Sequence, residues 1–490
     1  MTVIQGNPST HQPVNSVYSS ASEAERESCS EPIERRIRRT QFPNTDSGNA
    51  ERLISKFGYD FLYLHDRGKW LRWDGKRWSI DETAEIHRAA KATVRDMYPA
   101  IALIEDDTTR HNFSKWVVRS ESRNGRESMV TLAQKESRVA ALSRDFDTDP
   151  MLLNVQNGTL DFHTGRLREH QRADRITKLC PMAFDPEAKC DRWLAFLDET
   201  FPDQPEIVAF LQRSLGYSLT ADTEQQCFWL LIGSGKNGKS RFLDAIQFIL
   251  GDYAVATSFD TFAAKKGGAP ISPRDGMASL VGSRFVRASE SDEGIRFSEA
   301  QLKALTGGER IRTARMYQQD FDFKPTFKIW LSTNHEPTIR GTDDGIWRRI
   351  HRVNFDQVVP EARRDLHLGE KLQSEAPGIL NWALEGLKQY QVRGLQVPQS
   401  VVKATVGYRE NQNLVARFFK DRTEKADRFE IDATALYGTY KTWASDNSER
   451  ALSQTFFGKE ARKLVEHKRG NTGRNVYVGI RIRSEEDHAC

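Results

Sequence analysis

Residues 227–251 read CFWLLIGSGKNGKSRFLDAIQFILG, and their reading decides the fold. Phe228 to Ile232 is a short, wholly apolar run, the pattern of a strand buried on both faces of a parallel sheet. It leads directly into Gly233-Ser234-Gly235-Lys236-Asn237-Gly238-Lys239-Ser240, which fits the P-loop pattern G-x-x-x-x-G-K-[ST]. From Ser240 onward, Phe242, Leu243, Ile246, Ile249 and Leu250 recur at helical spacing, and Gly251 supplies a stop. Strand, glycine-rich turn and helix are the context this motif needs. Its glycines let backbone N–H groups close around phosphate oxygens at a helix N-terminus. Lys239 can reach β- and γ-phosphates, and the Ser240 hydroxyl can ligate Mg²⁺. The ligand expected is therefore a nucleoside triphosphate with its magnesium ion.

The surrounding composition narrows the class. A chain of 490 residues has a prior of about three domains. Its 72 basic and 68 acidic residues nearly balance, so any nucleic-acid footprint must be local. Five cysteines lie scattered with no C-x-x-C pair, which disfavours a zinc ribbon and suits a reducing cytoplasm. No apolar run approaches membrane-spanning length.

Upstream of the motif, residues 1–49 are rich in Ser, Thr, Pro, Asn and Glu and are expected to form a disordered tail. Residues 50–190 are expected to form an α+β domain with a helical collar. Asp74-Gly75 turns residues 69–73 into residues 76–80, a hairpin whose Trp70, Trp73 and Trp78 serve either as sheet core or as base-stacking platforms, core being the favoured use. Helical patterning covers residues 81–97 and 111–142. Asp145, Asp147 and Asp149 carry acid-x-acid spacing that can hold metal ions, but they read more readily as a helix end entering a loop. Residues 152–160 form a second hairpin through Asn157-Gly158, and residues 193–200 and 205–219 are amphipathic helices.

Downstream, residues 283–289 alternate like a strand and end at Glu290, where a Walker B carboxylate would hold the Mg²⁺ water shell; Asp292 and Glu293 are alternatives for the general base. Ser298 and Gln301 have capping-box spacing. Residues 310–325 read as a hairpin carrying Arg312, Arg315, Tyr317 and Lys324, equally suited to gripping a nucleic-acid backbone or to lying solvated on the surface. Residues 327–333 form another strand, ending at Asn334, a polar side chain that can sense the γ-phosphate. Arg348 and Arg349 precede a further strand-like run and can supply positive charge to a phosphoryl group. Residues 361–390 are expected to be helical, with 376–412 as a helical linker. Residues 413–490 read as helices followed by a strand ribbon, a winged-helix-like domain in which Lys459, Arg462, Lys463, Lys468, Arg469 and Arg474 meet DNA phosphates or, alternatively, another subunit.

The order of these pieces resembles the superfamily 3 helicases, specifically the phage- and plasmid-type primase-helicases related to the poxvirus primase-helicase. The matching pieces are GSGKNGKS, ASESDEG, LKALTGGERIRTARMY, LSTNHEP and GIWRRI, with NGTLDFHTG upstream. The resemblance implies an α/β fold: an AAA+-type P-loop NTPase core over residues 191–375, in a homo-oligomeric, hexameric ring. It implies that ATP and Mg²⁺ bind at residues 233–240, with Glu290 as the Walker B acid and Asn334 as sensor 1. Arg348 or Arg349 would be an arginine finger reaching the neighbouring subunit. Arg315 and its hairpin would face single-stranded DNA in a central channel, with origin duplex at the C-terminal domain. The function implied is an ATP-dependent DNA helicase for phage, plasmid or genomic-island replication, in the cytoplasm of a bacterial cell. The alternative is an ATP-switched replication initiator that binds DNA without unwinding it. No archaeo-eukaryotic primase domain is legible ahead of the helicase-like part, a departure from many family members that leaves unwinding without priming as the expectation.

Overall fold

The computed structural model describes residues 42–264, 274–289, 295–314, 320–341, 343–447, 449, 451–470 and 473–483. The chain divides into two compact units, residues 1–146 and 147–490.

In the first unit, α1 (Asp46–Phe57) precedes a sheet of β1 (Phe61–Leu64), β2 (Lys69–Trp73) and β3 (Trp78–Ile80). Helices α2 (Glu85–Arg95), α3 (Asp107–Glu121) and α4 (Arg123–Ala133) follow, with a single turn at Tyr98–Ile101 after α2, and then β4 (Ala140–Ala141), which pairs with β1 in parallel. Ser122 divides what periodicity reads as one helix: it caps α4 by accepting from Gly125 N at 3.1 Å. Trp70 and Trp78 are buried, so the hairpin tryptophans there are sheet core.

The second unit opens with a small antiparallel sheet, β5 (Leu152–Val155), β6 (Gly158–Asp161) and β7 (Arg166–Arg168). Leu153, Val155 and Leu160 share a core with the helices and strands that carry the glycine-rich turn, although the sequence reading groups them with the N-terminal block. The acidic stretch before this sheet is spent on backbone and hydroxyl groups. Asp147 accepts from the Thr177 amide and hydroxyl, and Asp149 accepts from Met151 N at 2.8 Å. Among the described residues no group of three potential ligands could hold a metal ion.

Two helices, α5 (Asp191–Thr200) and α6 (Pro205–Leu219), lead into a five-stranded parallel sheet. Its members, with the helices between them, are β8 (Phe228–Ile232), α7 (Lys239–Leu250), β9 (Ala254–Ser258), α8 (Arg274–Ser279), β10 (Phe285–Ser289), α9 (Glu299–Gly307), the hairpin β11 (Ile311–Ala314) and β12 (Asp320–Phe323), β13 (Lys328–Thr333), the short α10 (Asp344–Trp347) and β14 (Ile350–Asn354). In space the order is β14-β8-β13-β10-β9. An apolar run such as FWLLI is needed because both faces are covered: Trp229 and Leu231 enter one core cluster, Phe228 and Leu230 the other. Trp229 and Trp330 stand opposite each other in register and stack with centroids 4.5 Å apart. Their indole N–H groups need acceptors in this buried layer. Ser214 and Ser218, one turn apart on α6, supply them at 3.0 and 3.2 Å.

The expected capping box before α9 does not form: Ser298 makes no side-chain cap, and Gln301 Nε2 donates instead to Thr261 O at 2.7 Å. The expected long helix over 361–390 is broken into α11 (Leu368–Ser374) and α12 (Ala376–Arg393). The break has a job: Glu375 accepts from Arg192 N and Trp193 N at 2.9 Å each, capping α5 from a distance. α13 (Gln399–Gln412) is no free linker. It packs along β14, with Thr405 bonded to Arg352 N and Tyr408 buried.

α6 and α12 cross with almost no room. A Cβ on Gly216 would lie 2.1 Å from Leu387 N, and one on Gly386 would lie 2.0 Å from Gln212 O. Gly216→Ala should therefore push the two backbones apart and lower unfolding stability by about 1–3 kcal/mol. Urea denaturation checks this; an unchanged midpoint would refute the close packing.

The chain ends in α14 (Leu414–Arg422), β15 (Thr423–Asp432), α15 (Ala433–Asp446), α16 (Gln454–Leu464), β16 (His467–Arg469) and β17 (Asn475–Ile482), around a separate aromatic core that includes Phe418, Tyr440, Trp443 and Phe457. The sheet order is β15-β17-β16. β15 precedes the second helix of this domain, so the order is not helices followed by a strand ribbon. No helix among the described residues is long and apolar enough to cross a membrane.

Candidate nucleotide site at the sheet's C-terminal edge

The glycine-rich turn between β8 and α7 has Gly235 at φ 99°, Lys236 at φ 56° and Gly238 at φ 87°. Two of these left-handed positions carry glycine, which adopts them without strain. The third, Lys236, has its carbonyl bonded to Val359 N at 3.1 Å. The turn delivers the start of α7 to the C-terminal edge of the parallel sheet, where ligands bind in open α/β folds.

Register brings the other groups there. β10 and β13 pair so that Ser289 lies opposite Ser332, and β13 pairs with β8 so that Thr333 lies opposite Ile232. A cavity of about 350 Å³ opens at this edge, bordered by Lys239, Ser240, Ser289, Thr333 and Asn334. Lys239 is buried, and burial pulls its ammonium down to about 8. Three oxygens hold it: Gly233 O at 2.7 Å, Asn237 Oδ1 at 2.9 Å and Asn334 Oδ1 at 3.1 Å. Thus Lys239 and Asn334, 95 residues apart, meet directly.

Glu290 lies outside the described residues, as do Asp292 and Glu293. The strand that leads to it ends at Ser289, on the cavity wall. Ser240 is exposed to the cavity.

Arg348 and Arg349 stand at the other edge. Arg349 O accepts from Phe228 N at 2.7 Å, so both residues flank the start of β8, while Lys239 follows its end. The five residues of β8 between them span about 16 Å at strand rise. The two arginines differ. Arg349 is buried and donates to Gly345 O at 2.5 Å, Thr306 Oγ1 at 3.1 Å and Gln226 Oε1 at 3.4 Å. Arg348 is exposed and donates to the same Gln226 oxygen at 3.0 Å. Gln226 is a residue that motif reading passes over; it carries no pattern of its own.

In the β11–β12 hairpin, Arg312 is exposed and pairs with Asp320 at 3.2 Å. Lys324 is exposed just past β12. Arg315 and Tyr317 fall outside the described residues.

Sequence reasoning also passed over the far wall of the cavity. Phe196 and Thr200 of α5 lie under the turn, 3.0 and 3.3 Å from where a Cβ on Gly238 would sit. Arg363 and Arg364 border the cavity from the stretch after β14. Nothing local marks these residues, because it is packing that brings them to the glycine-rich turn.

Comparison with known proteins finds two family models and a set of viral relatives. A family model described as D5 N terminal like matches residues 50–202, and a second, described as a family of unknown function (DUF5906), matches residues 231–349. An inferred helicase of Acanthamoeba polyphaga mimivirus is 25% identical over 360 residues, covering 68% of this chain and 37% of that protein. An inferred helicase of Frog virus 3 is 21% identical over 386 residues, covering 62% of this chain and 39% of its own length. An inferred primase of African swine fever virus is 23% identical over 357 residues, covering 66% and 36%. The chain thus spans well under half the length of each of these viral relatives. Among solved structures, the NrS-1 C-terminal region superposes with a TM-score of 0.48 at 10% identity, over 86% of this chain and 96% of that one. Two family models thus match separate parts of this mixed α/β chain, and its viral relatives are described as helicases and primases.

Proposed function

We propose that the chain is an ATP-dependent DNA helicase, a ring-forming superfamily 3 motor with an AAA+-type core. The observation that carries this reading is the sheet. Its order, β14-β8-β13-β10-β9, puts the phosphate turn on a strand flanked by two others and brings Lys239 against Asn334. An extra strand between the turn and the Walker B strand is what lets a sensor side chain stand beside the lysine.

On this reading, residues 233–240 wrap the triphosphate, Lys239 neutralises charge building on the β- and γ-phosphates, and Asn334 orients the attacked group. Ser240 and Glu290 are the residues that would hold Mg²⁺, which supplies charge neutralisation at the phosphates. Arg348 faces outward at the opposite edge, beyond reach of its own chain's Lys239, so it serves a neighbouring subunit. A hexamer threaded by single-stranded DNA, with the β11–β12 hairpin and its Arg312, Arg315, Tyr317 and Lys324 toward the channel, fits this division. Arg312 would exchange Asp320 for phosphate oxygens.

The C-terminal segment favours a second reading. Its element order, helix-strand-helix-helix-strand-strand, and its sheet order, β15-β17-β16, are those of a winged helix. Such a domain could make the chain an ATP-switched initiator that holds duplex DNA without opening it.

Forked DNA separates the two. The helicase reading expects strand displacement that requires ATP and is absent with a non-hydrolysable analogue. ATP-dependent assembly on DNA with no displaced strand would discard it in favour of the switch.

A further inference from the structure

The P-loop pattern leaves residue 237 unspecified, yet here its side chain is among the most constrained in the site. Asn237 is 3% exposed. Its Oδ1 accepts from Lys239 Nζ at 2.9 Å, and its Nδ2 donates to Phe355 O at 2.8 Å. Phe355 directly follows β14, and its own N–H donates to Ile232 O at 2.7 Å. The amide therefore bridges the lysine to the exit of the neighbouring strand. Gly233 is built around the bridge: a Cβ there would lie 1.9 Å from Asn237 Nδ2 and 2.4 Å from Phe355 O. A second tie runs alongside, from Val359 N to Lys236 O. The turn is thus strapped to the chain leaving β14 at two successive residues.

We propose that Asn237 is a positioning residue that holds the Lys239 ammonium through its oxygen and fixes the phosphate turn to the β14 exit through its nitrogen. This rests on the nucleotide reading of the site. To bind phosphate oxygens, Lys239 exchanges partners within the cage of Gly233 O, Asn237 Oδ1 and Asn334 Oδ1. Among the described residues no carboxylate is bonded to the ammonium in that cage. The amide oxygen is a neutral acceptor, strong enough to aim the ammonium and weak enough to yield it to phosphate. A carboxylate at residue 237 would compete with the triphosphate for the same charge.

Binding of a fluorescent ATP analogue with Mg²⁺ to the full chain, together with steady-state hydrolysis, tests this. Asn237→Ala removes both ties of the bridge, so kcat should fall by about tenfold with a smaller change in KM. Asn237→Asp sets a carboxylate against the ammonium and loses the donor to Phe355 O, so analogue affinity should fall by about tenfold or more. Wild-type kcat in the Ala variant together with wild-type analogue affinity in the Asp variant overturns the proposal while leaving the nucleotide site standing. If the wild-type chain binds no analogue, the nucleotide reading itself fails and the proposal falls with it. Either variant alone keeps the test if the other does not fold.

Discussion

Lys239→Ala is expected to lower the rate of ATP hydrolysis by about two to three orders of magnitude while leaving the fold intact. The side chain's partners in this structure are the Gly233 carbonyl and two asparagine oxygens, Asn237 Oδ1 and Asn334 Oδ1. Truncation removes one charged donor from a polar corner at the edge of the sheet, not a piece of the hydrophobic core. On the proposed reading the same ammonium is needed where charge accumulates on the transferring phosphoryl group, and among the described residues no other lysine borders the turn except Lys236, which is exposed. Steady-state phosphate release, together with thermal melting followed by circular dichroism, checks both halves. A variant that hydrolyses ATP at the wild-type rate would remove the assignment of residues 233–240 to triphosphate.

The second large effect separates two adjacent arginines. Arg348→Ala should lose about three or more orders of magnitude in hydrolysis with an unchanged melting temperature, as expected for an arginine that completes a phosphoryl-transfer site in trans. Arg349→Ala should instead be destabilised, by about 1–3 kcal/mol, since it removes the donor that satisfies the Gly345 carbonyl and the lone pair of the buried Thr306 hydroxyl. Mixing Arg348→Ala with Lys239→Ala subunits should restore part of the activity. Some interfaces in the mixed ring then combine an intact lysine with an intact arginine. Wild-type hydrolysis by Arg348→Ala, or no recovery at any mixing ratio, would defeat the action in trans.

The split between these arginines marks where sequence reading stops. Trp-Arg-Arg names the pair but gives no reason to prefer either, because both precede the same strand. Preference comes from Thr306 of α9, far away in sequence, which with the Gly345 carbonyl takes up the second guanidinium, whereas Gln226 is shared by both. The C-terminal domain teaches the same lesson. β15 reads TEKADRFEID, mostly polar and charged with only Ala426, Phe429 and Ile431 apolar, and it becomes a strand because β17 offers a paired edge. The break between α11 and α12 was equally invisible, since its purpose is to aim Glu375 at α5.

What the sequence by itself determined was the strand, turn and helix of residues 228–250, the continuous apolar run that buries β8 on both faces, and the chain order of the pieces that form the site. These are local matters: side-chain period, glycine stereochemistry and helix stop signals act over a few residues. Tertiary structure decided which of those pieces touch. Asn237 bonded to a carbonyl 118 residues away, Lys239 bonded to Asn334, and Arg349 committed inward while Arg348 faces out depend on sheet order and strand register. A hydrogen bond of that kind is specified by where two backbones arrive, and no spacing within either segment encodes it.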